Sequence, residues 1–243
     1  MLGPLALLVA LASPAQAPAT VPPPVDGPAT RPADDFVADK AWKPLGKDLW
    51  FDPVNRRAVL RARVALVDGA LEHLLCTRGT KDHESTLITE APPRLIHAAL
   101  LLSGAEPGHP VRFEPKFEPP TGSAIAIELE WIGGDGKPRK ADARTWVKDL
   151  KTNQPLQTDW VFAGSELFLD PRTKEKVYAA DDGDLITVAN FGTSILDLPF
   201  RSSASDADRT YASNTEAMPP RGTLVTVGLK PRKPDPKPVP AAK

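Results

Sequence analysis

Between residues 45 and 231 apolar and polar residues alternate mostly with a period of two, the spacing of strands that turn one face to a core. LWFDPVNRRAVLRARVALVDG predicts a short strand at 49–51 and a longer one at 58–67, joined through 53–56 as an antiparallel hairpin. In the longer strand Ala58, Leu60, Ala62 and Val64 share one face, and Val59, Arg61, Arg63 and Ala65 share the other. ALEHLLCT is apolar enough for a central strand, and STLIT predicts the next one. AIAIELEWI sets Ile125, Ile127, Leu129 and Trp131 on one face before a turn at GGDGK, which gives a second hairpin. A third is expected from WVFAGSELFLDPRTKEKVYAA, turning at Asp170 and Pro171, and DLITVANF and GTLVTVGLKP supply the last strands.

The period changes in EAPPRLIHAALLLSGAEPG. Pro92 and Pro93 suit a first helical turn, Leu95, Ile96, Ala99, Leu100 and Leu102 cover a broad face, and Gly104 with Pro107 ends the run. The expected class is therefore α+β: a mostly antiparallel sheet with β-hairpins and one prominent helix, about residues 93–103, packed on it.

The ends read differently. MLGPLALLVALASPAQA has a short apolar run closed by Ala15-Gln16-Ala17, the form of a secretory signal over residues 1–17. Residues 18–38 form a proline-rich tether, 39–231 one globular domain, and 232–243 a basic, proline-rich tail. The expectation is an exported protein of the periplasm or cell envelope, soluble after cleavage and with no stable membrane insertion of the mature chain, since the apolar run is too short to span a bilayer.

Composition narrows the chemistry. The 243 residues carry 30 Lys and Arg against 31 Asp and Glu, a formal net charge of -1, which gives no general attraction for nucleic acid. The single cysteine, Cys76, makes no internal disulfide and cannot alone hold an iron–sulfur cluster, so no cofactor is expected.

CTRGTKDHESTLIT, IHAALLLSGAEPGHPVRF, PPTG, VFAGSELF, NFGTSILDLP and MPPRGTLVTVGLKP, in that order, resemble the YdjY-domain family of exported bacterial proteins. The resemblance covers roughly residues 45–231 and implies export; the family's function is uncharacterised.

The densest chemistry lies in CTRGTKDHES, residues 76–85. If extended, this stretch sends Lys81, His83 and Ser85 to one face and Thr80, Asp82 and Glu84 to the other. His83 suits a general base or a metal ligand, Lys81 an anion contact, and Ser85 a nucleophile or donor. The competing structural reading is a strand, turn and strand in which His83 and Glu84 hydrogen-bond backbone groups. His83, Glu84 and His97 are the candidate metal ligands, although His97 sits in an apolar helix where a core role is commoner. Cys76 follows two leucines and reads as buried filler. With no complete catalytic or cofactor signature, the functional expectation is an accessory or binding domain. Its ligand, a small molecule or an envelope protein, sits at the 76–85 loop and helix edge; an envelope enzyme or thiol or metal redox protein using Cys76, His83 and Glu84 is the alternative.

Overall fold

A computed structural model describes residues 36–202 and 210–232; the expected signal sequence at 1–17, most of the expected tether and the expected tail beyond Arg232 lie outside the described residues. Of the expected tether, residues 36–38 are described, and Phe36 packs against Trp50 with ring centroids 5.1 Å apart.

The period-two segments form strands where the sequence places them. The first hairpins are β1 (Lys43–Gly46), β2 (Leu49–Asp52) and β3 (Arg57–Val64), all antiparallel, and in β3 the alternate residues Ala58, Leu60, Ala62 and Val64 enter the core. Next come β4 (His73–Thr77) and β5 (Ser85–Thr89), then the helix α1 (Pro93–Leu102). The GGDGK turn joins β6 (Ala124–Ile132) to β7 (Pro138–Asp142), and β8 (Val147–Asp149) and β9 (Trp160–Phe162) follow. The Asp170–Pro171 turn joins β10 (Leu167–Leu169) to β11 (Lys176–Tyr178). The remaining strands are β12 (Asp184–Thr187), β13 (Leu196–Asp197), β14 (Tyr211–Ser213) and β15 (Leu224–Pro231).

The expected α+β class does not hold. The protein is mostly β, 39% strand and 13% helical, and its main sheet closes into an eight-stranded barrel rather than lying open under a helix. Around the ring the order is β3, β15, β6, β9, β13, β12, β4 and β5, and pairing of Arg63 with Ile88 and Val64 with Leu87 returns β5 to β3. The physical reason lies in the amount of surface to be covered. α1 has ten residues and buries only Ile96, Ala99 and Leu100, too little to cover the apolar face of so long a sheet. The sheet instead covers itself: Leu60, Leu75, Leu87, Ile127, Leu129, Trp160, Phe162, Ile186, Val225 and Val227 form one apolar core. Each such side chain removed from water stabilises the fold by roughly 1.5–3 kcal/mol before conformational entropy is counted.

The helix packs against β1, β2, β3 and β15, and His97 sets its ring 4.9 Å from Phe162 of β9. Its ends obey the sequence signals. Proline occupies the first turn, and Gly104 takes φ of 90° just past the last turn, where the Ser103 and Gly104 amides bond back to the carbonyls of Ala99 and Leu101.

Two joints are unusual. β4 and β5 are parallel neighbours linked only by residues 78–84, and β12 and β13 are parallel neighbours linked only by 188–195. Parallel strands ordinarily need a connection of about a dozen residues or more, often a helix. Here each connection runs straight back beside the strand it has left. Gly183, at φ of 110°, permits this for the first loop: a Cβ there would collide with the Thr80 side chain. Because β4 and β12 are antiparallel neighbours, the two return loops flank one strand pair.

Candidate functional site

The strand pair β4 and β12 carries a histidine and an aspartate where an apolar barrel has no packing use for either. His73 is 0% exposed, and its Nε2 lies 2.8 Å from Asp184 Oδ1. The first return loop brings Lys81, whose Nζ donates to the same oxygen at 2.6 Å, and the second brings Thr193, whose hydroxyl donates to Asp184 Oδ2. Phe191, also from the second loop, stacks on the His73 ring with centroids 5.3 Å apart and planes 15° from parallel. Burial pushes the Asp184 carboxyl up, but the hydrogen bonds from His73, Lys81 and Thr193 outweigh it and hold the group well below the usual carboxylate range. Asp184 is thus an ionised, fully engaged acceptor, and it ties both loops to the barrel.

The sequence-derived candidates fall at separate places around this network. Lys81 joins it directly. Ser85 is buried beside His73 in the parallel register, and its hydroxyl donates to the Leu87 carbonyl at 2.8 Å, a local structural bond. Cys76 is buried, its sulfur 3.8 Å from Asp82 Oδ1, and burial pushes its thiol up. The 82–84 segment is a single 3-10 turn, held by the Gly79 amide donating to Asp82 Oδ1 at 2.8 Å. His83 points outward from it with a side chain 79% exposed, and its nearest ionic neighbour is Glu84 at 3.7 Å, beyond hydrogen-bonding distance. The expected backbone-holding role for His83 is therefore not what the turn uses; Asp82 does that work through its carboxylate. Glu84 is half-buried and comes to lie with Glu72 and His73.

His97 stands elsewhere. Its Nδ1 donates to the Tyr178 hydroxyl at 2.8 Å, which in turn donates to the Gly164 carbonyl at 3.1 Å, so it fixes α1 to the β9–β10 and β11 segments. Burial lowers its pKa, which favours the neutral ring.

Neither His73 nor Asp184 stands out in the sequence, because each sits within an apolar strand and they are far apart along the chain. The available signal is that HLLC and DLIT each place an ionisable residue in a run otherwise fit for full burial, and a buried ionisable group needs a partner.

A groove of about 1030 Å³ lined by Trp42, Trp131, Met218, Pro219 and Pro220 lies along β6, β7 and the approach to β15 and shares no lining residue with the return-loop network. No helix among the described residues is long and apolar enough to cross a membrane.

Comparison with curated proteins and with solved structures finds no match. A family model described as the YdjY domain matches residues 52–230, which reach from the end of β2 through β15 and include every strand of the ring. The chain therefore belongs to the YdjY domain family.

Proposed function

We propose that the protein is an exported binding domain of the cell envelope, without catalytic activity of its own, whose ligand sits between the two return loops against β4 and β12. The observation that carries this is the buried Lys81–Asp184–His73 network with Thr193. Four polar groups from two loops and two strands are locked together at one place on a barrel that an apolar core already holds. Charged networks of this kind are costly to bury and add little net stability, so they fit a site that must be held rigid. The alternative enzyme reading needs a nucleophile beside a base. Cys76 is buried next to a carboxylate, while His83 faces solvent, an arrangement that lends a thiol mechanism no support.

The binding reading is tested by thermal unfolding of the full mature chain against inorganic phosphate, citrate, free amino acids and divalent metal ions in turn. At least one probe should raise the melting midpoint, and Glu84→Gln or Lys81→Met should remove that rise. Probes that act equally on the parent and on both variants would place binding elsewhere. Export is tested separately, by N-terminal sequencing of protein from the periplasmic fraction, with Pro18 expected as the first residue.

A further inference from the structure

Glu72, His73 and Glu84 each offer a ligand atom, two carboxylate oxygens and an imidazole nitrogen, all within 4.8 Å of one another. The backbone brings them there. Glu72 precedes β4 and Glu84 precedes β5, the parallel register sets His73 opposite Ser85, and the Glu72 amide donates to the Glu84 carbonyl at 3.1 Å. The parallel register of β4 and β5 thus delivers Glu84 to the start of β4.

A second observation concerns the imidazole itself. His73 is completely buried, its Nε2 is committed to Asp184, and its Nδ1 has no hydrogen-bond partner. Asp184 Oδ1 also accepts from Lys81 Nζ, so it is His73 Nε2–H that donates to it, and in the neutral ring with its proton there Nδ1 presents a lone pair. Leaving a buried acceptor unmatched is unfavourable. A carboxylate that grips one ring nitrogen while the other is left to bind is how proteins orient a metal-binding histidine and raise its basicity.

We propose that Glu72, His73 and Glu84 form a binding site for a divalent transition-metal ion such as zinc, one carboxylate oxygen from each glutamate and Nδ1 from His73, with Asp184 as the outer partner that fixes the ring. This rests on the return loops being the binding region and names the ligand they hold. Zinc bonds to nitrogen and oxygen are about 2.0–2.2 Å, which sets tetrahedral ligand atoms about 3.4 Å apart. The three groups therefore need close by at most about 1.4 Å, a movement that two half-buried glutamate side chains can make. One imidazole with two carboxylates favours a borderline cation over magnesium or calcium, which prefer shells of oxygen alone.

The test uses the full mature chain, stripped with a chelator and titrated with Zn²⁺ in competition with a chromophoric chelator. One Zn²⁺ per chain is expected. Glu72→Gln and Glu84→Gln should each weaken binding by more than about 10-fold, and Asp184→Asn by about 10- to 100-fold through loss of ring orientation. His83→Ala, beside the site but exposed, should leave the affinity unchanged. X-ray absorption at the zinc edge of the parent protein needs no variant; it should show a nitrogen and oxygen shell with one imidazole and no sulfur. Circular dichroism of the glutamine variants checks that they fold. Equal Zn²⁺ affinity in the parent and both glutamine variants, a loss on His83→Ala, or a sulfur ligand would each overturn the site. If Zn²⁺ fails in one of these ways while phosphate, citrate or an amino acid still raises the midpoint through Lys81 and Glu84, the metal assignment falls and the binding reading stands. If no probe depends on those residues, both fall.

Discussion

Replacing Asp197 with Asn should stabilise the protein at neutral and alkaline pH while costing stability in acid. Asp197 is 0% exposed on β13; its Oδ1 accepts from the Leu198 amide at 2.7 Å, Thr187 Oγ1 at 3.0 Å and Asn190 Nδ2 at 3.1 Å, whereas Oδ2 is buried with no partner. Burial, opposed but not overcome by these hydrogen bonds, pushes the carboxyl from its ordinary 3.8 up to about 7. Between those two values the folded chain holds a proton that the unfolded chain has released. Stability from this group is therefore complete below about pH 4, declines as pH rises towards 7, and then stays low. At 1.36 kcal/mol per pKa unit the whole decline is about 4 kcal/mol. Asparagine imitates the neutral acid and keeps the three bonds to Oδ1, but places an unmatched amide where Oδ2 was, at a cost of about 1–3 kcal/mol that does not vary with pH. Urea unfolding of both proteins from pH 4.5 to 8.5 should show the variant weaker in acid and the gap moving in its favour by about 3 kcal/mol, most of it below pH 7. A difference between the two that stays flat across this range would refute the reasoning.

Lys81→Met should cost about 1–2 kcal/mol in urea unfolding at pH 7, because Asp184 loses its shortest charged donor while remaining buried. The Asp184 carboxyl is held low in the fold, so its contribution is complete above the ordinary carboxylate range and disappears as pH falls through the lowered value; in Lys81→Met that acid loss should be smaller and complete at a higher pH. His83→Ala should change the thermal unfolding free energy by less than about 0.5 kcal/mol, since its side chain is exposed and holds no backbone group. Native protein should leave Cys76 unmodified by a thiol reagent at pH 8 and yield one reactive thiol per chain once unfolded, because burial raises the thiol and blocks access.

Local pattern carried a great deal of this fold. The hairpins at GGDGK and at Asp170–Pro171, the faces of β3 and β6, and both ends of α1 are all where alternation, turn chemistry and proline placement put them. Closure of the ring was not legible, because the pairings that decide it join distant segments: β15 to β3 and β6, β12 to β4, and β5 back to β3. A period-two strand reports that one face is buried and is silent on whether a helix or the sheet's own curl buries it. The site shows the same division. Loop 76–85 was visible as a concentration of chemistry, and Lys81 and Glu84 do converge with the buried network and its neighbours. His73 and Asp184 were hidden because their partners are set by strand register, and His83 drew notice for its type when the turn directs it to solvent.

The position of β15 bears on how the chain is made. It is the final strand among the described residues, yet it lies between β3 and β6. A polypeptide emerging from the ribosome thus carries two unpaired strand edges until residues 224–231 appear, and the barrel cannot close piece by piece as synthesis proceeds. A premature stop before Leu224 would leave an open ring of seven strands with β3 and β6 free to pair with other chains. For a protein proposed to leave the cytoplasm, the same arrangement keeps the chain threadable through a narrow channel until residues 224–231 have been made.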